Sequence, residues 1–411
     1  MEKRLTALLL CACLALSAGG CVSGGLKTEG NAPGVPGGES EPAAPDLPGE
    51  GEEGAGEEAG CASQIITVET FDGLSFEGKL RLPEGGADKL VIYVNGSGPN
   101  TYDNHRESGE LKFNYFDLFA QRFTAEGAAF FSYNTRGVTP GTEPPYFADI
   151  DGEAYQTYIP SNEVKDVVSI IRRLTALPEL AEAKVYLLGW SAGTIVAPLA
   201  ALEGEARVDG LLLAGYCNET MADTLEWQQT GGSAMVLYKA YFDVDGDGRI
   251  SESEYAGDPY GVSQALGGAA FAELDVTGDG YLDREDLSVL LKDTREAVFK
   301  AFDGGDDQWL NENYGVRLTS AWFTDYRRLA PNKETLLRLD LPIHIFQGGL
   351  DTNTPVEDTY AIEESFRAAG KENLKIHVFG DHDHDLNYLL YPMEGAVSEG
   401  LQAIFDTVAS L

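Results

Sequence analysis

The chain has 411 residues, 67 of them acidic against 29 basic, and a formal net charge of −38. That length leaves room for one large domain with additions. So negative a balance argues against nucleic-acid binding, because a phosphate backbone would be repelled. Part of the excess is local: Glu39, Glu41, Asp46, Glu50, Glu52, Glu53, Glu57 and Glu58 share one stretch, and many more acids lie between 243 and 307, where bound cations would offset them.

The N-terminus reads as an export signal. Lys3 and Arg4 precede the apolar run Leu5–Leu16, which is too short to span a bilayer as a helix. Ser17-Ala18-Gly19-Gly20-Cys21 resembles a bacterial lipobox, with Ala18 where leucine is usual. That resemblance implies lipidation of Cys21, cleavage after residue 20, and an extracytoplasmic protein touching the membrane through its lipid alone. Residues 22–62 are rich in Gly, Pro, Glu and Ala with almost no large apolar residue, so they cannot bury enough surface to order themselves and read as a flexible acidic tether. Cys61 and Cys217 are left in a compartment where disulfides persist, and either pair or stay as thiols.

From residue 63 the pattern changes. Gln64–Thr70 and Leu74–Leu82 alternate apolar and polar residues around Asp72-Gly73, which predicts a hairpin. Strands follow at Lys89–Val94 and Ala128–Tyr133, with a helix at Phe113–Glu126 between them. Ser161 reads as the N-cap of a helix running to Thr175. Lys184–Ala201, KVYLLGWSAGTIVAPLAA, is an apolar strand that stops at Gly189-Trp190-Ser191-Ala192-Gly193 and turns at once into a helix of small residues. Another strand is expected at Val208–Gly215. The alternation resumes with a strand at Leu341–Gln347, a helix at Glu357–Ala369, a strand at Asn373–Phe379 and a closing helix at Glu394–Leu411. The class is α/β: a mostly parallel sheet covered on both faces, opened by an antiparallel hairpin.

That element order, with G-x-S-x-G between a strand and a helix, closely resembles the α/β-hydrolase fold over residues 63–217 and 336–411. The resemblance implies a sharp turn presenting Ser191 as nucleophile, followed in chain order by an acid and a histidine. The acid is expected at Asp351, in the loop Gln347-Gly348-Gly349-Leu350-Asp351-Thr352-Asn353-Thr354-Pro355, with Asp358 inside the next helix as the alternative. The histidine is expected in Gly380-Asp381-His382-Asp383-His384-Asp385, at His384 or else His382. His344 and His377 fall within strands, and His105 precedes the serine. Asn95-Gly96-Ser97-Gly98-Pro99 resembles the family's H-G-x-G-P loop with Asn95 in place of histidine, implying oxyanion donors at the backbone N–H groups of Ser97 and Ala192. Arg136 resembles a structural R-G loop residue.

Residues 218–335 interrupt the fold as an expected α-helical cap over Ser191. Within them, Asp243-Val244-Asp245-Gly246-Asp247-Gly248-Arg249-Ile250-Ser251-Glu252-Ser253-Glu254 fits the twelve-residue EF-hand loop at each constrained position. Asp243, Asp245, Asp247, the Arg249 carbonyl and Glu254 supply hard oxygen donors suited to Ca²⁺, with Gly248 at the bend. A second loop begins at Asp275 and offers Asp275, Thr277, Asp279, the Tyr281 carbonyl and Asp286. Asp286 stands where glutamate is usual, and its shorter side chain predicts weaker binding. Two Ca²⁺ ions are thus expected, stapling an acidic insertion. The resemblances together imply a serine hydrolase acting on a small-molecule ester or peptide, with no partner protein evident. The alternatives are a peptidase of the same fold and a non-catalytic calcium-dependent binding lipoprotein.

Overall fold

The computed structural model of the protein describes residues 61–258, 260–265 and 268–411. The expected export signal, the lipidation site at Cys21 and the tether up to residue 60 lie outside the described residues.

Eight strands form the main sheet: β1 (Cys61–Glu69), β2 (Ser75–Pro83), β3 (Lys89–Val94), β4 (Ala128–Tyr133), β5 (Lys184–Trp190), β6 (Gly210–Ala214), β7 (Ile343–Gly348) and β8 (Leu374–Phe379). Their spatial order is β1-β2-β4-β3-β5-β6-β7-β8. Only β2 runs against the rest: it pairs antiparallel with both β1 and β4, and every other pairing is parallel. Helices α1 (Tyr115–Ala125), α2 (Pro160–Thr175), α3 (Gly193–Glu203), α4 (Val356–Ala368) and α5 (Glu399–Ser410) cover the two faces. The two-residue period of the strands divides the core. Leu90, Ile92, Val185 and Leu187 pack with Val167, Val196 and Ile362 on one side, while Val91, Tyr93, Tyr186 and Leu188 pack with Phe116, Phe119, Ile404 and Phe405 on the other. This is the α/β-hydrolase fold.

Three local expectations change, and the cysteine alternative left open resolves to thiols. The tether ends earlier, because Cys61 and Ala62 already pair with Pro83 and Leu82 in β1. Ser161 lies inside α2; Pro160 takes the first helical position, where its missing N–H costs nothing, and the Ser161 N–H donates to Asp325 Oδ2 at 2.8 Å. The closing helix is broken: Gly395 adopts a left-handed conformation after Leu390–Glu394, and Ser398 caps α5 by accepting from the Leu401 N–H. No disulfide joins Cys61 to Cys217. Five strand spacings separate β1 from β6, roughly 24 Å at about 4.8 Å each, against the ~7 Å limit for bridged Cα atoms.

The insertion leaves the sheet after β6 and returns before β7. Asn332 ties its two ends together, its Nδ2 donating to Cys217 O at 2.8 Å and to Thr194 O at 2.9 Å. Helices Met221–Gln229, Lys292–Gly304 and Ser320–Tyr326 share a core with the domain of the main sheet through Met221, Leu225, Phe302 and Trp322 packing with Ala192, Ile195 and Cys217. A separate small core of Phe242, Ile250, Leu274, Leu282 and Leu287 holds the two acidic loops.

Arg136, buried after β4, clamps the opening hairpin to α2. It donates to Asp166 through Nε and Nη2 at 2.5 and 2.7 Å, and to Asp72 through Nη1 at 2.7 Å. These bonds hold the Asp72 carboxyl down at about 2, whereas burial pushes Asp166 up to about 6 even with Arg136 against it. Arg136→Ala leaves Asp166 buried without its cation and is expected to lower the unfolding free energy by about 3–5 kcal/mol, measured by urea denaturation.

Candidate active site and calcium loops

Ser191 sits on the turn from β5 into α3 with φ at +54°, a left-handed conformation that a non-glycine residue adopts only when its surroundings hold it there. The Ser191 N–H donates to Ala214 O at 2.9 Å, and Thr194 Oγ1 donates to Ser191 O at 2.6 Å. The flanking glycines have no room for a side chain. A Cβ on Gly189 would lie 2.4 Å from Gly193 O, and one on Gly193 would lie 2.2 Å from Val94 O. Among the described residues, neither the Ser97 nor the Ala192 N–H donates a hydrogen bond within the chain, and both residues flank Ser191. Ala192 precedes the first turn of α3, whose positive dipole end favours negative charge at that point.

Asp351 and His384 are joined, with His384 Nδ1 and Asp351 Oδ2 2.8 Å apart. Asp351 is 1% exposed and fully hydrogen-bonded: Oδ1 accepts from the Asn353 and Thr354 N–H groups at 2.7 and 2.9 Å, and Oδ2 also accepts from Gln347 Nε2 and Thr354 Oγ1, both at 2.8 Å. Burial alone would raise the Asp351 carboxyl; the facing His384 and these donors outweigh it and hold it below the usual carboxylate range. Burial alone would lower His384; Asp351 overrides it, helped by Asp385 and Asp383, and keeps the imidazole above its ordinary 6.5. An ionised carboxylate only accepts, so Nδ1 carries the proton and a neutral His384 offers the lone pair of Nε2.

The other candidates fall elsewhere. His382 is buried between Asp381 Oδ1, 2.7 Å from Nδ1, and the Gly400 N–H, which donates to Nε2 at 3.2 Å. His344 and His377 stack on neighbouring strands, and burial lowers both, His344 to about 4. His105 is in the ribbon formed by residues 105–108 and 111–114. Asp358 is in α4, close to Glu219 and hydrogen-bonded to the Asn218 backbone.

Residues beyond the expected set shape the site. Gly215, φ +61°, leaves space for His384: a Cβ there would stand 2.5 Å from the ring Cε1. Gly348 and Gly349 let the acid and histidine loops nest, since Cβ atoms on them would meet His382 O at 2.2 Å and Gly380 O at 2.5 Å. Trp190 Nε1 donates to His384 O at 3.2 Å. The pairing of Gly-Gly with a distant loop has no local signature, although Gly215 at a strand end is a readable hint.

Ser191, Ser97 and His384 line one cavity of about 110 Å³. Its roof comes from the insertion: Met221, Thr224, Leu225 and Gln228 on one helix, and Tyr314, Val316 and Leu318 on the segment before Ser320. Among the aromatic residues of the insertion, Tyr314 lines this wall; Trp322 is core, Trp309 packs within the cap, and Trp227 lines a different groove. The acidic loops stand beside the site rather than over it. The helix Gly232–Phe242, which runs into Asp243, borders the Asp351 loop along a groove of about 920 Å³.

In the first loop, Asp243, Asp245 and Asp247 bring carboxylate oxygens within 4.8 Å of one another. Gly248 has φ +87°, and Ile250 pairs with Leu282 of the second loop. This donor set fits a hard divalent cation. In the second loop Asp286 is fully buried, accepting from the Thr277 and Asp283 N–H groups at 3.0 Å each. Asp279 is held by the guanidinium of Arg249, which crosses from the first loop.

Residues 240–256 and 268–291 match the family model described as EF hand. A comparison with curated protein sequences finds no match. Similar solved structures include a highly thermostable carboxyl esterase from Bacillus coagulans in complex with glycerol, at 14% identity and TM-score 0.48 over 85% of this chain and 99% of that one. A lipase in its open form gives 16% and 0.44 over 85% and 97%. An acylaminoacyl peptidase from Pyrococcus horikoshii gives 12% and 0.45 over 86% of this chain, which spans 41% of that one. The chain is an α/β-hydrolase-fold protein with an EF-hand pair in its insertion.

Asp351→Asn removes the charge that holds the His384 proton, so the His384 midpoint, followed by NMR of the ring protons, is expected to fall. An unchanged or raised midpoint would mean the pair does not act as one unit.

Proposed function

We propose that the protein is an extracytoplasmic serine hydrolase that cleaves small carboxylic esters, anchored by lipid on Cys21. The observation that carries the chemistry is the Asp351–His384 hydrogen bond opening onto the cavity that Ser191 and Ser97 line, where, among the described residues, the Ser97 and Ala192 N–H groups donate no hydrogen bond. In this reading Ser191 Oγ attacks the ester carbonyl while His384 Nε2 takes its proton. Asp351 holds the ring and stabilises the imidazolium. The Ser97 and Ala192 N–H groups receive the oxyanion. His384 then returns the proton to the departing alkoxide, and a water deprotonated by His384 releases the acid. A cavity of about 110 Å³ roofed by the insertion suits a short acyl group and leaves little space for an extended peptide, which favours ester over peptide.

A fluorophosphonate probe is expected to label the wild-type protein and not Ser191→Ala, and p-nitrophenyl acetate or butyrate to turn over at least ~10-fold faster than the octanoate. The rate should rise with pH around a midpoint above 6.5, because the base must be neutral and its proton is held above that value. Labelling retained in Ser191→Ala would remove the assignment.

When bound, calcium supplies cross-links within the insertion and takes no part in the reaction. Asp243, Asp245, Asp247, the Arg249 carbonyl and Glu254 would hold the first ion. Asp275, Thr277, Asp279, the Tyr281 carbonyl and Asp286 would hold a second, weaker one, since Arg249 already occupies Asp279 and Asp286 is short. Calorimetric titration should resolve two affinities, with Arg249→Ala strengthening the weaker. A single site unaffected by that substitution would count against the second ion.

A further inference from the structure

We infer that Tyr158 and Asn100 are positioning residues of the oxyanion site, together holding the Gly96–Ser97 peptide so that its N–H faces Ser191. The inference rests on the serine-hydrolase reading above. The Gly96 carbonyl and the Ser97 N–H belong to one planar trans unit and point in opposite directions, so whatever fixes the carbonyl also aims the N–H.

Two buried side chains converge on that carbonyl. Asn100 Nδ2 donates to Gly96 O at 3.1 Å and Tyr158 OH donates to it at 3.2 Å. Asn100 is 6% exposed and Tyr158 2%, so no water competes freely for the bond. Asn100 is itself locked: its N–H donates to Thr135 Oγ1 at 3.0 Å, its carbonyl accepts from the Thr135 N–H at 2.9 Å, and Nδ2 also reaches Gly98 O at 3.0 Å. The strand-to-loop corner is held from the other side by Asn95 Nδ2, which donates to Tyr133 O at 3.1 Å.

The aim of this peptide matters because the loop passes so close to the nucleophile. A Cβ on Gly96 would stand 3.3 Å from Ser191 Cβ. Glycine gives the backbone little resistance to rotation. A flipped unit would turn the carbonyl oxygen toward the developing oxyanion and replace attraction by repulsion. Donors on the carbonyl also polarise the N–H of the same unit. Tyr155 provides a matched control. Its ring stacks on Tyr158 with centroids 5.4 Å apart, but its hydroxyl donates to Arg317 O of the insertion at 2.6 Å.

Tyr158→Phe removes the hydroxyl and leaves the ring. It is expected to lower kcat about 10-fold with KM little changed, and to weaken a boronate transition-state analogue by the same factor, against ~10²–10³-fold for losing a whole donor. Asn100→Ser, which removes the amide donor shared by Gly96 O and Gly98 O, should cost more, and Tyr155→Phe should stay within about 2-fold of wild type. A cooperatively melting Tyr158→Phe protein with unchanged kcat and analogue affinity overturns the inference, as do equal losses in Tyr155→Phe, which would point to packing. If Tyr158→Phe does not fold, unchanged analogue affinity in Asn100→Ser overturns it instead. A wild-type protein that the fluorophosphonate fails to label sinks the hydrolase reading and the inference together. Labelled wild type with an unaffected Tyr158→Phe removes the inference alone.

Discussion

Everything at the site depends on how closely three backbone segments approach one another at the carboxyl end of β5. The positions where Gly189 and Gly193 would carry side chains lie 2.4 and 2.2 Å from backbone oxygens of α3 and β3. Nothing but glycine fits there, and the tightness holds Ser191 in its positive-φ conformation against an intrinsic cost of about 1–3 kcal/mol. The same crowding brings the Gly96–Ser97 peptide within contact of Ser191, and Gly215 leaves the gap that His384 fills. The turn, the loop at residues 95–99 and His384 are therefore parts of one packing arrangement.

The insertion meets that arrangement in two ways. Its flanking helices close the cavity directly, through Met221, Leu225, Val316 and Leu318, and share a hydrophobic core with Ala192 and Cys217. Its EF-hand pair keeps a separate core and meets the domain of the main sheet along the Asp351 loop. One helix, Gly232–Phe242, belongs to both settings: its C-terminal end opens the first calcium loop, and its side faces Leu350 and the His384 loop. Calcium at Asp243 would thus brace a wall of the groove beside the acid, with Asn332 keeping both ends of the insertion fixed to the sheet.

Legibility in the sequence followed the range of the interactions. β3 and β4 are runs buried on both faces, and composition marks them to the residue. The EF-hand loop is a local chelate whose ligands are spaced by the turn itself, so the motif is readable without a fold. The cap of α2 misled because Ser161 is a good capping residue, yet Pro160 fits the first turn better and Asp325, 164 positions away, takes the Ser161 N–H. Choosing between His382 and His384 needed the third dimension. Both follow an aspartate, but the β8 exit and the Gly348-Gly349 contact turn one toward α5 and the other toward Asp351.

The sequence by itself determined the sheet, the strand–turn–helix around Ser191, the loop at residues 347–355 and the EF-hand loops, because each is written in contiguous residues whose period, turn chemistry or ligand spacing acts locally. Tertiary structure alone decided that Cys61 and Cys217 stand across the sheet from one another, that helices rather than calcium loops roof Ser191, and that Arg249 reaches into the second loop. It also decided that the hydroxyl of Tyr158, 62 residues beyond Gly96, donates to the Gly96 carbonyl beside Ser191. These are contacts between segments distant in the chain, set by how the layers pack, and no spacing rule connects such residues before the chain has folded.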